Sequence, residues 1–305
     1  MEFEIVIEGV PQAIETLLHL LAEASFHPVK LSSPASESYS PPLQTISLRE
    51  TDPELLNRKL VRIASLIATV EQQSDSRDPL EIRVRNLGYC EPSCGSKGNP
   101  VPFKPVPSLT IRPWTSSLPG NLTPDTIILD PRHAFGTGKH PSTKLCLEIL
   151  DSIAHGKWNG NTFACWNVLD FGCGTGLLAM AAVRLGAKQA VGIEIDAESA
   201  KAAKRNVSLN GLSEKIQIRK GAWEVVSENY DLILANLVPS VLFRTGLNIP
   251  KHLKSHGIAA VSGFGENLLE DMAAFFSEAG LTILERFSLK TWGALLMAPS
   301  PQSIP

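Results

Sequence analysis

The feature that most restricts what this chain can fold into is the run Val168-Leu169-Asp170-Phe171-Gly172-Cys173-Gly174-Thr175-Gly176. A short apolar segment stops at three glycines in alternate positions. Each glycine costs backbone entropy on folding, so three of them after a buried strand need a compensating reason. The pattern predicts a strand that turns sharply into a helix, with backbone free to approach a ligand that a Cβ would block. Such a turn is where open α/β sheets bind their ligands. A dinucleotide fingerprint would need its third glycine at position 177, which is Leu, so a nicotinamide-dependent oxidoreductase is disfavoured.

The residues around this run support the sheet that it requires. Apolar strands are predicted at Asn167 to Phe171, Ala190 to Ile195, Ile216 to Arg219, Tyr230 to Ala235 and Gly257 to Ser262, with helices between them. The clearest helix spans Ala197 to Asn210, with Asp196 as its N-cap and Gly211 as its stop. After a helix near Asn267 to Ala279, the strands Leu281 to Ser288 and Trp292 to Ala298 are joined by a turn too short for a crossover, so they must pair antiparallel.

The first third reads differently. Residues 3 to 9 alternate as a half-buried strand, and a helix follows from Pro11 with Ile14, Leu17, Leu18, Leu20 and Leu21 on one face. Strands are expected at Val29 to Ser32 and Gln44 to Arg49. A second helix opens at Asp52-Pro53 with an apolar stripe through Leu55, Leu56, Leu60, Ile63, Leu66, Ile67 and Val70, and a last strand spans Leu80 to Leu87. The order β-α-β-β-α-β predicts a ferredoxin-like α+β domain over residues 1–88. Residues 89–113, rich in Pro, Gly, Ser and Cys, are expected to be a linker, and residues 114–305 the α/β domain.

Composition narrows the function classes. Of 305 residues, 43% are hydrophobic and 19% charged, with a net charge of −3, which supports a real core and excludes disorder across the whole chain. The near-neutral balance lacks the basic footprint of a nucleic-acid binder, so no direct nucleic-acid partner is expected. The chain starts Met1-Glu2-Phe3-Glu4, and no apolar run reaches the roughly 18 residues of a membrane span. A cytoplasmic monomer is expected. Cys90 and Cys94 have three residues between them but lack the further ligands a zinc site needs, so no metal is expected.

Further residues carry chemistry. Glu194 ends the second strand, 22 residues after Gly172, where a carboxylate can accept from both hydroxyls of a ribose. Asn236 ends the fourth strand, where an amide can accept from an incoming amine while its NH2 donates to a cofactor. The segment Asp130-Pro131-Arg132-His133-Ala134-Phe135-Gly136-Thr137-Gly138-Lys139-His140-Pro141-Ser142-Thr143 precedes a helix expected at about Lys144 to Ile153. It is not a phosphate loop, because the first glycine of that pattern would fall on His133 and its hydroxyl on His140. Ser142 and Thr143 suit N-capping or contact with an anionic group at the helix start. His140 has two readings, a proton acceptor for an ammonium group or a side chain that fastens its loop.

The glycine run, with Asp170 ahead of it, resembles the first motif of S-adenosylmethionine-dependent methyltransferases, and the doubly wound sheet with an antiparallel last strand resembles the class I, Rossmann-like fold of those enzymes. From Phe103 to Pro299 the chain is similar to the PrmA family, methyltransferases of large-subunit ribosomal protein eleven. The similarity is carried by Phe103-Lys104-Pro105, Ile111-Arg112-Pro113-Trp114, the Phe135 to His140 loop, Asp170 to Gly176, Gly192 to Asp196, Ala235-Asn236-Leu237 and Gly257 to Gly263. It implies a methyl donor held by Thr143, Asp170, Gly172, Gly174, Glu194 and Asn236. It also implies a catalytic centre lined by Phe135, His140 and Asn236, and a ferredoxin-like domain that docks the ribosomal protein, which the near-neutral charge suggests is met free of the ribosome. The chain departs from the family pattern at Glu194, usually Asp, at Arg132, usually Gly, and in the stretch from Cys90 to Pro102. Open alternatives are another protein or small-molecule acceptor, RNA, or a ribosome-associated binding module without turnover.

Overall fold

A computed structural model describes residues 3–26, 30–32, 44–50, 59, 62, 63, 66, 67, 69, 70, 80–86, 101–115, 123–130, 134–158 and 163–301. The chain divides into two compact units, Met1–Cys90 and Glu91–Pro305.

In the first unit the described elements are β1 (Phe3–Gly9), α1 (Pro11–Glu23), β2 (Lys30–Ser32), β3 (Gln44–Glu50) and β4 (Glu81–Asn86). Helical residues lie between β3 and β4 at positions 59, 62, 63, 66, 67, 69 and 70. The sheet order is β2-β3-β1-β4 with every neighbouring pair antiparallel, as two interleaved split β-α-β turns require. Pro11 stands in the first turn of α1, where its missing N–H costs nothing, and Ala13, Ile14, Leu17 and Leu21 form the buried face. They share a core with Ile5, Ile7, Ile46, Leu48, Ile63, Ile67 and Val70. The predicted helix start at Asp52-Pro53 lies outside the described residues.

The second unit corrects the predicted linker. Phe103–Val106 and Leu109–Pro113 are strands, β5 and β6, and join β7 (Thr126–Leu129) in a small sheet of order β5-β6-β7. Val106, Leu109 and Ile111 are buried with Ile127 and Leu129, and it is this burial that makes them strands. Pro105, Pro107 and Pro113 gave the stretch the look of a loop, yet proline is tolerated at sheet edges and strand ends. The remainder of that linker, 89–100, lies outside the described residues.

The main sheet contains β8 (Asn167–Phe171), β9 (Gln189–Glu194), β10 (Ile216–Lys220), β11 (Tyr230–Asn236), β12 (Leu253–Gly265), β13 (Leu281–Leu289) and β14 (Trp292–Pro299). Its order is β10-β9-β8-β11-β12-β14-β13, parallel except for β14, which runs antiparallel to both neighbours. The order reverses beside β8, so the ends of β8 and β11 frame a topological switch point. One face is covered by α2 (Pro141–Ala154), α3 (Leu177–Arg184) and α4 (Ala197–Leu209). The other is covered by α5 (Pro239–Thr245), α6 (Ile249–His252) and α7 (Leu269–Glu278). Between β10 and β11 the expected helix is reduced to one 3-10 turn at Trp223–Val225. Trp223 takes over its covering role, with its ring stacked between Phe171 at 4.0 Å and His252 at 5.5 Å. No helix among the described residues is long and apolar enough to cross a membrane.

Candidate active site

A cleft opens at the switch point, lined by Phe135, Gly136, Thr143, Asp170, Gly172 and Asn236 among others. Its floor is the glycine loop. The Gly172 and Cys173 N–H groups both donate to the Ile193 carbonyl at 2.9 Å, which pins the turn to the neighbouring strand. Gly176 caps α3 in the left-handed region at φ +77°. Asp170, 1% exposed, accepts from the Ala179 N–H in the first turn of α3 at 3.0 Å. A residue of the strand thus satisfies an orphan donor of the helix that follows it. Burial raises the Asp170 carboxyl to about 7; the Ala179 N–H opposes the rise and the charge of Glu194 adds to it.

Gly174 has a further reason for being glycine besides the one expected. At φ +52°, a Cβ there would lie 2.4 Å from the Phe135 carbonyl oxygen, so its missing side chain makes room for the 134–140 segment. The contact is bonded on both sides of Thr175: its N–H donates to the Phe135 carbonyl at 3.0 Å and its hydroxyl to the Gly136 carbonyl at 2.7 Å. Two stretches almost forty residues apart in sequence are one loop pair in space.

Glu194 faces the same loop from the end of β9. One carboxylate oxygen accepts from the Gly174 N–H at 2.9 Å and the other from the Asp196 N–H at 3.0 Å. Helix capping falls to Asp196, which accepts from the Ser199 N–H at 2.8 Å, as its spacing predicted. Each Glu194 oxygen keeps a second lone pair for a ligand hydroxyl. Burial raises the Glu194 carboxyl above its ordinary range, against the pull of the two amides.

On the opposite wall, Asn236 at the end of β11 meets Thr143 in the first turn of α2, the amide NH2 donating to the Thr143 hydroxyl at 3.2 Å. Thr143 is 1% exposed. The Asn236 carbonyl oxygen is buried and has no hydrogen-bond partner. Buried acceptors are nearly always paired, so one left open on a cleft wall is suited to a donor arriving from outside.

Helix α2 starts three residues earlier than predicted, at Pro141, and its cap is His140 rather than Ser142 or Thr143. The His140 Nδ1 accepts from the Ser142 N–H at 3.3 Å and lies 2.8 Å from the Ser142 hydroxyl. Its ring meets Phe135 at 5.4 Å and Trp292 at 4.3 Å, and burial lowers its pKa to about 4. Accepting at Nδ1 places the ring proton on Nε2, so the lone pair that a proton acceptor needs is already engaged. This geometry supports the fastening role for His140. No cluster of His, Cys, Asp or Glu able to hold a metal occurs among the described residues, and Cys90 and Cys94 lie outside them.

Sequence reasoning missed Thr175, which bonds the two loops, and Asn206 of α4, whose NH2 donates to the Thr175 carbonyl at 3.0 Å. The available signal was Asn206 and Asn210, polar residues one turn apart on a helix face that otherwise carries buried alanine and valine.

The family described as ribosomal protein L11 methyltransferase (PrmA) matches residues 2–299. The chain belongs to this family. Among curated members, the protein named ribosomal protein L11 methyltransferase of Shewanella pealeana is 38% identical over 152 residues, covering 50% of this chain and 49% of that protein. Its counterpart in Desulfotalea psychrophila is 34% identical over 198 residues, 65% of this chain and 64% of that one. The chain thus spans about half to two thirds of the length of the curated relatives it matches. A crystal structure described as ribosomal protein L11 methylase from Lactobacillus delbrueckii subsp. bulgaricus superposes with a TM-score of 0.56 at 28% identity. It covers 65% of this chain and 98% of that one.

Proposed function

We propose that this PrmA-family chain is an S-adenosylmethionine-dependent protein methyltransferase that modifies lysine ε-amines of ribosomal protein L11, with the N-terminal α-amine as a second acceptor of the same chemistry. The observation that carries the reading is the open carbonyl oxygen of Asn236, buried on the cleft wall beside Thr143 and across from the glycine loop. An amine to be methylated must arrive neutral, with its lone pair directed at the methyl carbon. A carbonyl acceptor fixes such an amine by one N–H and leaves the lone pair free.

The residues present fit the donor. Glu194 has lone pairs for the ribose hydroxyls, and the glycine loop and the Thr143 end of α2 border the same cleft. Bound S-adenosylmethionine supplies an electrophilic methyl group. The chain's own part is to position the acceptor, exclude water around it and hold Asn236 through Thr143; His140 keeps Phe135 in place by ring contact and α2 in place by its cap. Residues 1–90 carry 13 acidic against 8 basic residues, which supports the first unit as the part that meets a basic ribosomal protein. The near-neutral chain is better suited to catching that protein free of RNA than to gripping the ribosome.

The test is incubation of the chain with labelled S-adenosylmethionine and extract from a strain lacking the gene. Label in L11 is the expected result. Label in RNA or in a protein outside the ribosome would replace the acceptor, and the absence of any label would remove the activity.

A further inference from the structure

Asn206 lies in the last turn of α4 with no exposed surface, and its amide is bonded to backbone of the site rather than to its own helix. Its carbonyl oxygen accepts from the Asp130 N–H at 2.9 Å, and its NH2 donates to the Thr175 carbonyl at 3.0 Å. Asp130 follows the last residue of β7, where the chain leads toward the 134–140 segment. Thr175 is the glycine-loop residue that grips that segment through Phe135 and Gly136. One planar side chain therefore links the two ends of a circuit: Asp130 to Asn206, Asn206 to Thr175, and Thr175 back to Phe135. The preceding residue reinforces it, as the Arg205 Nε donates to the Asp130 carboxylate at 3.0 Å.

Helix propensity does not explain the residue, because asparagine is a poor helix former. An apolar side chain would leave an N–H and a carbonyl unpaired in a dry interior, which destabilises the fold at both groups. Asn210, one turn on, meets the same kind of demand at another place. It accepts from the Ile128 N–H at 2.8 Å and donates to the Ile128 carbonyl at 2.7 Å, so it fastens β7 without touching either loop. The two asparagines are matched in chemistry and burial and differ in what they hold.

We infer that Asn206 is a positioning residue that sets the 134–140 segment against the glycine loop and so aligns the acceptor side of the cleft with the donor side. The inference rests on the proposed methyl transfer. The glycine loop has further anchors at Asp170, Glu194 and the Ile193 carbonyl, so loss of Asn206 falls mainly on the acceptor wall formed by Phe135.

The experiment compares Asn206→Ala with Asn210→Ala in the full chain, by melting temperature, donor affinity, kcat and KM for L11, and amide exchange of residues 134–140. Both variants should melt lower by similar amounts. Only Asn206→Ala should speed exchange in the 134–140 segment and lower kcat, by roughly 10²-fold for a misplacement near 1 Å, with donor affinity almost unchanged. If Asn206→Ala does not fold, Asn206→Ser, whose hydroxyl satisfies one of the two backbone groups, takes its place. Equal loss of kcat in Asn210→Ala, or unchanged exchange and kcat in the Asn206 variant, would overturn the inference. A wild-type chain that binds no S-adenosylmethionine would instead defeat the proposed function, and the exchange comparison would still decide whether Asn206 ties the loops.

Discussion

The glycine loop and the 134–140 segment meet in one cleft but are held by different means. The glycine loop is anchored close to home: Asp170 caps the helix that begins seven residues later, and the Ile193 carbonyl and Glu194 reach it from the adjacent strand. The 134–140 segment is held locally at its His140 end by Ser142, but at its Phe135–Gly136 end from afar, by Thr175 of the glycine loop and by Asn206 through Asp130. A site half of which is local and half borrowed separates donor binding from acceptor alignment. Substitutions on the two sides should therefore fail in different measurements.

The largest effect is expected on the acceptor side. Asn236→Ala removes the open acceptor and should lower kcat by roughly 10²-fold, with a smaller change in donor affinity; an unchanged kcat would break the division between the two sides. Glu194→Ala should do the reverse. Loss of a charged hydrogen-bond acceptor is worth about 1.5–3 kcal/mol, roughly a ten- to hundredfold weaker donor affinity, readable by calorimetry.

Smaller effects sharpen the contrast through stability. His140→Ala should cost about 1 kcal/mol by loss of the cap, while His140→Asn, which keeps a side-chain acceptor, should cost much less. Because burial depresses the His140 pKa from 6.5 to about 4, its contribution is present above 6.5 and is lost as pH falls toward 4. Asp170 runs the other way. Its folded pKa is raised from 3.8 to about 7, so its contribution is present below 3.8 and is lost as pH rises through 7. Denaturant unfolding of Asp170→Asn across this range should show the downward slope flattened, and an unaltered slope would mean the carboxyl does not titrate there.

The same division explains what could be read in the sequence. The strands β8 to β11, the Asp196 cap and the placement of Glu194 and Asn236 were legible because each depends on residues a few positions away or on a plain apolar run. The sheet β5-β6-β7 was not. Its strands have four or five residues, β5 and β6 carry prolines, and all three owe their form to burial against α2 and α3, partners that no local pattern announces. His140 was weighed as a proton acceptor because its Nδ1 bond to the next turn is visible only once α2 starts at Pro141. For Gly174 the sequence shows the loop but not the second neighbour that demands glycine there. The atom that excludes its Cβ is the Phe135 carbonyl, 39 positions upstream.

The proposed methyl transfer from S-adenosylmethionine to amines of ribosomal protein L11 is open to direct measurement. Its most direct test is mass spectrometry of purified L11 after incubation with the purified chain and the donor, beside the Asn236→Ala variant. The account predicts methylated lysine side chains in L11 with the wild-type chain and a large loss with the variant. Unmodified L11 in the presence of a chain that binds the donor would contradict it.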